Sequence, residues 1–572
     1  MQTQDVLKSV SSKSVSEEFY TPVPEGYKAG KTKYIIITGS VMSGVGKGIF
    51  SSSMGTLLTC HGFNVSPIKF DGYFNYDAGT LNPYRHGEVF VLDDGTECDL
   101  DLGSYERFMN KNLSKQNYLT AGKIFKTIID KERAGKFLGR DVQFIPHVTG
   151  EIKHFLRNLA MKSNADIVTV EVGGTAGDLE NSYFIEAMRE LKYEEGINNV
   201  CIVNVTYIME PQSLGEQKSK AAQLGLRTLM SMGVQPDVIV CRAGNEVKQS
   251  VREKVSLYAN VPLSRVIGSR NVETIYDIPL FLREMKVDEA IFEILKIKPK
   301  NNGNEELTFE SWENLINNMK SLKDSVTIGI TGKYTDVHDS YLSILKALEH
   351  VSPYLNAKVN VKWIETTAIE DGKKTVEEEL KDVDGIIVPG GFGKRGTEGK
   401  IACIKQAREN NLPYLGLCYG FQMAVLEFAR NVCNLKEAES TETNPGTKVP
   451  IIDILPEQKK IEGLGGTMRL GGHDVEIKPN TLASKFYDST KARERFRHRY
   501  ECNPDYLKQL EEKGLVFSGK APKVPIMQIL ELPNHPFFVG TQFHPELTSK
   551  PLKPHPLFLE FVRAALGKKN KK

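Results

Sequence analysis

The eight cysteines of this chain include no C-x-x-C pair. That argues against a metal held by thiolates and for reduced thiols in a cytoplasmic protein. Long apolar runs are missing as well. The longest reach about half of the ~20 residues that a spanning helix needs, and residues 1–32 hold no signal-peptide h-region. Charge of one sign is absent too: the net charge is only +2, so nothing at this level predicts binding to nucleic acid or to a membrane. What remains is an ordinary soluble composition, 40% apolar and 26% charged. At 572 residues the chain is too long for one core, and about two to four domains are expected.

A more telling absence lies in "ITGSVMSGVGKGIFSSS", residues 37–53. The stretch follows the apolar run Tyr34-Ile35-Ile36-Ile37 and has the character of a phosphate loop between strand and helix. The common loop needs a Gly five residues before its Gly-Lys pair and a Ser or Thr after the Lys. Here Val41 and Gly48 hold those positions, so the hydroxyl that usually binds Mg²⁺ is missing. Gly39, Gly44, Gly46 and Gly48 still allow backbone N–H groups to approach a triphosphate, and Lys47 supplies charge. Lys69, Asp71, Asp77, Asp93, Asp94, Asp99 and Asp101 follow closely, and Glu171 stands at a strand end in "VEVGGTAGDLE". Hard carboxylates near such a loop suit Mg²⁺. Asp93 and Asp94 are expected instead in a solvated acidic hairpin.

Residues 1–32, rich in Ser, Lys and Pro, read as an irregular extension. Between 33 and 297, β-rich runs such as "KYIIITG", "DIVTVEVGG" and "NVCIVNVTYI" alternate with helix-length segments, which implies a parallel sheet covered on both faces. Residues 298–325 read as a linker with a helix near 312–322. A second α/β series occupies 326–566, and the basic end 567–572, "GKKNKK", is expected to be solvated.

In that second series "YLGLCYGFQMAVLEFAR" places Cys418 between Gly416 and Gly420, where a strand gives way to a helix. G-x-C-x-G is the thiol form of a nucleophile elbow, and the helix dipole favours thiolate. His544 and Glu546 in "GTQFHPEL" provide a base and a carboxylate to orient it. The glycines of "IIVPGGFGKRG" offer N–H groups for an oxyanion hole. Together these motifs resemble the class I glutamine amidotransferase domain. The resemblance implies that Gly391 contributes to the oxyanion hole and that Gln422, Glu442 and Arg499 hold glutamine.

Taken from 33 to 566, the chain resembles the CTP synthase family. The likeness rests on "GVGKG", "HGEVFV", "DLDLGSYERF", "EVGGTAGDLE", "PGGFGKRG", "GLCYGFQ" and "GTQFHPE". It implies a dethiobiotin-synthetase-like P-loop domain followed by a class I glutaminase, and an ATP-dependent amination of UTP with ammonia from glutamine. The missing hydroxyl would be replaced by two carboxylates, here Asp101 and Glu171, as the Mg²⁺ ligands. The same resemblance assigns ATP to Ser43, Gly44, Val45, Gly46, Lys47, Gly48 and Asp101. It assigns UTP or CTP to Ser43, Lys69, Asp178, Leu179, Glu180, Lys218, Lys220, Gln223 and Lys254, and places Arg242 at the UTP phosphates. GTP as an activator near Arg395, a homotetramer with the UTP site at subunit contacts, and filaments in some members are further implications.

Three departures from the family pattern stand out. The usual Lys-Thr-Lys-Pro-Thr-Gln-His-Ser segment becomes Lys218-Ser219-Lys220-Ala221-Ala222-Gln223-Leu224-Gly225, which keeps both lysines and the Gln. The Gly pair that opens the phosphate loop becomes Gly39-Ser40, and the Asp-Pro turns of the acidic region become Asp71-Gly72 and Asp77-Ala78. Altered CTP feedback is the expected consequence. Two other readings stay open at this point: an amidoligase acting on a different acceptor, and a catalytically lapsed assembly subunit.

Overall fold

A computed structural model describes residues 22–211, 215–300, 306–332, 338–454 and 468–570. Its contacts divide the chain into two units. One comprises residues up to Thr80 with Ser104–Glu313, and the other Leu81–Gly103 with Asn314–Lys572.

The first unit is built on seven strands: β1 (Lys33–Gly39), β2 (Val65–Asp71), β3 (Tyr118–Thr120), β4 (Ile167–Val172), β5 (Val200–Tyr207), β6 (Val238–Arg242) and β7 (Val266–Ser269). They lie in the order β3-β2-β4-β1-β5-β6-β7, every pairing parallel. Tyr34, Ile35, Ile36 and Ile37 of β1 are all fully buried, as a run without alternation requires when helices cover both faces. Helix α1 (Lys47–Cys60) starts directly after the Gly-rich loop that leaves β1. Helices α2 (Leu100–Phe108), whose first residues up to Gly103 are counted with the second unit, and α3 (Lys220–Ser231) carry further candidate residues.

The main sheet of the second unit has nine strands among the described residues: β8 (Asp324–Gly332), β9 (Ala357–Glu365), β10 (Gly385–Val388), β11 (Tyr414–Leu417), β12 (Arg469–Ile477), β13 (Lys491–His498), β14 (Val516–Lys520), β15 (Met527–Glu531) and β16 (Phe538–Thr541). Their order is β9-β8-β10-β11-β16-β15-β14-β12-β13. The half from β9 to β16 is parallel and the rest antiparallel. Helix α4 (Tyr419–Asn431) follows β11, and α5 (Pro556–Lys569) packs against the sheet through Phe558, Phe561 and Val562.

Several expectations change. Asp93 and Asp94 do lie in a hairpin, between the antiparallel pair Phe90–Val91 and Glu97–Cys98, and Asp94 is exposed; but the segment belongs to the second unit, and Asp93 pairs with Arg493 at 2.9 Å. Residues 567–569 continue α5 rather than forming a tail, and Lys569 Nζ donates to Ser325 O at 2.5 Å. The linker region holds the helix Phe309–Lys320, pinned by Trp312 Nε1 donating to Tyr276 O at 2.9 Å. Of the N-terminal extension, residues 1–21 lie outside the described residues. Residues 22–32 form turns anchored to the unit: Tyr27 and Tyr34 hydroxyls meet at 2.8 Å, and Gly30 N donates to Glu195 Oε2 at 2.9 Å.

That anchor sits on buried charge. Arg157 stacks on the Tyr27 ring and donates to Glu195 Oε1 at 2.8 Å, both side chains being at most 3% exposed. Removing one partner of such a pair leaves an uncompensated buried charge. Arg157→Ala is therefore expected to destabilise the first unit by about 3–5 kcal/mol, read as an earlier transition in denaturant unfolding.

Candidate functional site

At the C-terminal edge of the first sheet, β1 hands over to α1 through residues 39–46. Gly44 and Gly46 take φ values of 71° and 98°, which only glycine adopts without strain. Ser43 and Gly44 are exposed at this turn while Val45 is buried, and the 14-residue α1 starts directly after Gly46, where a helix N-terminus favours an anion. Lys47 is 6% exposed and donates from Nζ to Gly174 O at 2.6 Å. Its stem crosses Gly39, where a Cβ would come within 2.9 Å of Lys47 Cδ. Gly48 lies inside the helix.

Beside the loop is a cavity of about 310 Å³, lined by Gly46, Phe50, Val240, Arg242, Arg270 and Leu282 among others. Arg242, expected at the UTP phosphates, lines this cavity, and its Nη1 donates to Val45 O at 3.1 Å. Apolar walls with a guanidinium face suit a planar base.

Lys69 on β2 and Glu171 on β4 meet at 3.3 Å, with Asp71 Oδ1 3.9 Å from the same ammonium. The three residues are 7%, 1% and 7% exposed for Lys69, Glu171 and Asp71. Tyr105 of α2, which the sequence reading did not single out, donates its hydroxyl to Glu171 Oε2. Asp101 stands in the first turn of α2, four residues before Tyr105, with its N–H donating to Asp99 Oδ1 at 2.9 Å. Asp71, Glu171 and the Tyr105 hydroxyl thus gather around the Lys69 ammonium in a buried, oxygen-rich corner. Among the described residues no group of three or more His, Cys, Asp or Glu side chains converges as a metal site. A pair of carboxylates completed by phosphate and water is the mode Mg²⁺ favours, so the donor chemistry fits that ion.

The remaining nucleotide candidates are more open. Asp178 is held at the β4 exit, its Oδ2 accepting from Thr175 N at 2.6 Å, while Leu179 is 83% exposed. Lys220 begins α3, and Gln223 Nε2 donates to Ser219 Oγ at 3.1 Å. Lys218 pairs with Glu216, and Glu180 and Lys254 are exposed.

In the second unit Cys418 caps α4 at φ 50°, ψ −95° and is 3% exposed. A non-glycine residue held at positive φ stores strain of about 1–3 kcal/mol, and the glycines around it explain how it persists. A Cβ at Gly420 would lie 2.1 Å from Val388 O, and one at Gly416 would lie 2.3 Å from the Tyr414 hydroxyl oxygen. Cys418 N donates to Thr541 O at 2.6 Å, and its thiol to Arg497 O at 3.7 Å.

His544 Nδ1 lies 2.7 Å from Glu546 Oε1, and its buried Nε2 has no hydrogen-bond partner among the described residues. A Cβ at Gly390 would approach both His544 Cε1 (2.9 Å) and Cys418 Cβ (3.7 Å), so base and nucleophile flank one glycine. Burial opposes charge on His544, but Glu546 and Cys418 outweigh it and raise its pKa well above the ordinary value. Glu442 Oε1 accepts from Gly393 N at 2.6 Å, and Tyr419 donates to Gly393 O at 3.1 Å, which braces the loop carrying Gly391. Gln422 Nε2 donates to Tyr500 O at 2.8 Å, leaving its buried Oε1 without a partner among the described residues. Arg499 follows β13, flanked by the buried pair His498–Glu501 at 2.6 Å.

Two neighbours escaped the sequence reading. Gln542 reaches Cys418 Sγ at 3.7 Å and Gln422 Nε2 at 3.3 Å. Its spacing of two from His544 was a usable signal. Arg497 carried none. It belongs to a ladder on one face of β13, where Arg493, Arg495 and Arg497 bind Asp93 (2.9 Å), Val91 O (3.1 Å) and Glu97 (2.7 Å). The strand whose carbonyl touches the nucleophile is thus clamped by Leu81–Gly103.

An imidazolium beside a thiol can deliver a proton to a departing amine. Hydrolysis is therefore retained up to the raised His544 pKa and lost as pH rises through it. Glu546→Gln removes the charge that raises that pKa. The alkaline limb of amide hydrolysis at this thiol is expected to move to lower pH, and kcat to fall by about 10²- to 10⁴-fold, checked by a pH–rate profile.

Comparison with known proteins gives matches over both units. Residues 33–297 match the family model for the CTP synthase N-terminus, and residues 336–564 that for class-I glutamine amidotransferase. The CTP synthase of Thermococcus kodakarensis is 50% identical over 539 residues, 94% of this chain and 99% of the relative. That of Archaeoglobus fulgidus is 49% identical over 534 residues, 93% and 98% respectively. A solved structure, the Trypanosoma brucei CTPS glutaminase domain with bound acivicin, is 36% identical. It covers 42% of this chain and 94% of that one, with a TM-score of 0.40.

Proposed function

The chain belongs to the CTP synthase family, and on that premise we propose how its residues divide the work of a glutamine-hydrolysing ligase that converts UTP to CTP. The observation that carries the division is the strained Cys418 elbow with its buried His544–Glu546 pair, on a chain that also bears a phosphate loop at Lys47.

In the second unit, the Cys418 thiolate attacks the carboxamide carbon of glutamine, with the oxyanion received by N–H groups around Gly391. His544 protonates the departing ammonia, then draws a proton from the water that hydrolyses the thioester to glutamate. Gln422 Oε1, with Glu442 and Arg499, holds the amino acid end of the substrate. In the first unit the γ-phosphoryl of ATP passes to O4 of UTP. Ammonia, kept from bulk water where it would be protonated, attacks C4 and expels phosphate. The products are CTP, ADP, phosphate and glutamate.

Positioning and charge do most of the work in phosphoryl transfer. The loop N–H groups and Lys47 take the ATP phosphates, the Arg242 cavity takes the purine, and Lys69 lies ready for the transferring group. Mg²⁺, held by Asp101 and Glu171, would neutralise charge on the phosphates. Lys218, Lys220, Gln223 and Lys254 take the UTP triphosphate, with Asp178, Leu179 and Glu180 at the pyrimidine and ribose. GTP acts as an activator near the exposed Arg395. A cytoplasmic location is supported by all eight cysteines being free. Among the described residues no helix is long and apolar enough to cross a membrane.

The assembly is a homotetramer. Support comes from an exposed apolar face on the first unit. Phe74 (73% exposed) stacks on Phe125 at 5.0 Å, beside Phe144 (60%) and Ile145 (51%). Leu179, at 83%, is exposed among the UTP candidates, consistent with a site completed by a second subunit. Apolar surface of this kind on a polar rim marks an interface. Phe144→Asp is expected to shift the sedimentation mass from tetramer to smaller species and raise KM for UTP by about tenfold or more, a desolvated charge at an interface costing several kcal/mol.

The division of labour is tested by product analysis with UTP, ATP, Mg²⁺ and either glutamine or ammonium. Cys418→Ala should abolish CTP formation from glutamine, by about 10³-fold or more, and retain it with ammonium. Failure with both nitrogen sources in the unaltered protein, with glutaminase intact, would move the reading to another acceptor.

A further inference from the structure

Helix α3 meets the phosphate-loop entrance at Gly225. Gly225, in its second turn, faces Ser40 so closely that a Cβ there would lie 2.5 Å from Ser40 Cβ, 3.0 Å from Ser40 Oγ and 3.4 Å from Val41 N. Real Cβ atoms do not approach backbone-anchored atoms that closely. Ser40 cannot retreat. It is 1% exposed, its N–H donates to Val205 O at 3.0 Å, and its Oγ meets Asn204 Oδ1 at 3.1 Å. Asn204, fully buried, is tied in turn to Thr38 Oγ1 at 3.0 Å. Val41, the next residue, is held at φ 77°. The space between helix and loop admits one side chain.

These are two of the positions where the sequence departs from its family pattern: the loop has a Ser where a Gly is usual, and the helix a Gly where a Ser is usual. We infer that Ser40 and Gly225 are a matched exchange, in which the side chain filling the contact has moved from α3 to the loop. Gly225 is thus a positioning residue, setting the distance between the loop that takes the ATP phosphates and the start of α3, where Lys220 and Gln223 take those of UTP. The inference rests on that assignment of the nucleotide sites. Its consequence is that the rewritten 218–225 segment and the altered loop are one change, and neither works alone.

The test is a double-mutant cycle on the full-length protein: Gly225→Ser, Ser40→Gly and the combined variant. Direct ATP binding by calorimetry, KM for ATP and UTP with ammonium as nitrogen source, and nucleotide-free glutamine hydrolysis are the readouts. Gly225→Ser is expected to weaken ATP binding and raise both KM values at least tenfold, leaving glutamine hydrolysis at Cys418 unchanged. The combined variant is expected to return within about threefold of the parent. A Gly225→Ser protein with parental ATP binding, or a folded double variant no better than Gly225→Ser, would overturn the inference. Should Gly225→Ser fail to fold, recovery of folded, ATP-binding protein on adding Ser40→Gly supports it, and failure to recover overturns it. If the parent makes no CTP, the UTP assignment falls while ATP binding across the cycle still judges the pair.

Discussion

Gly420 lies so near the Val388 carbonyl that a Cβ would come within 2.1 Å of its oxygen. This approach of helix to strand holds the thiol site together. A parallel sheet brings its strand ends to one edge, and a helix that begins there must pack against the neighbouring strand's exit. With Gly416 and Gly420 in place, α4 starts without a spacer, so Cys418 is forced to φ 50° and its thiol is presented at the helix N-terminus. The base arrives from β16, the strand beside β11, and is locked by Glu546. Gly39 under Lys47 and Gly225 under Ser40 serve the phosphate loop in the same way. In each unit, the candidate site lies where backbone comes closer to other atoms than a Cβ allows.

Charge handling is the second shared theme. Each unit buries carboxylates near the place where charge must appear. Glu546 stabilises an imidazolium against burial, which keeps a proton available for a leaving amine. Glu171 and Asp71 both face the ammonium of Lys69. Arg157 with Glu195 shows the structural counterpart, in which buried charge anchors the chain before β1 and no reacting atom is near. Burial alone therefore does not mark a site; a polar atom left without a partner among the described residues, such as Gln422 Oε1, is the better indicator.

Leu81–Gly103 shows how far sequence neighbourhood departs from spatial neighbourhood. It interrupts the first unit in the chain yet is built into the second, its Asp93 and Glu97 carboxylates spent on the arginine ladder of β13. Gly471 and Gly472 make the docking possible, since a Cβ at either would strike Gly95 N (2.4 Å) or Asp93 Oδ1 (2.0 Å). Arg497 serves both contacts at once: its side chain holds Glu97 and its carbonyl receives the Cys418 thiol.

By itself the sequence determined what local pattern can encode. Unbroken apolar runs specify buried parallel strands. Gly-x-Cys-x-Gly, the Gly-rich loop before Lys47 and the His-Pro-Glu triplet specify turns and reactive groups within a few residues of each other, because glycine and proline act on the backbone where they stand. Contacts across hundreds of residues were decided only by the tertiary structure. The pairing of Asp93 with Arg493, the place of Arg242 at the cavity wall, the bond from Tyr105 to Glu171, and the meeting of Ser40 with Gly225 all depend on which strands become neighbours. No window of sequence contains both partners, and an acidic turn looks the same whether water or an arginine ladder faces it. The difference is physical: a charge or a missing Cβ acquires its meaning from what packs against it, and only the folded chain supplies that.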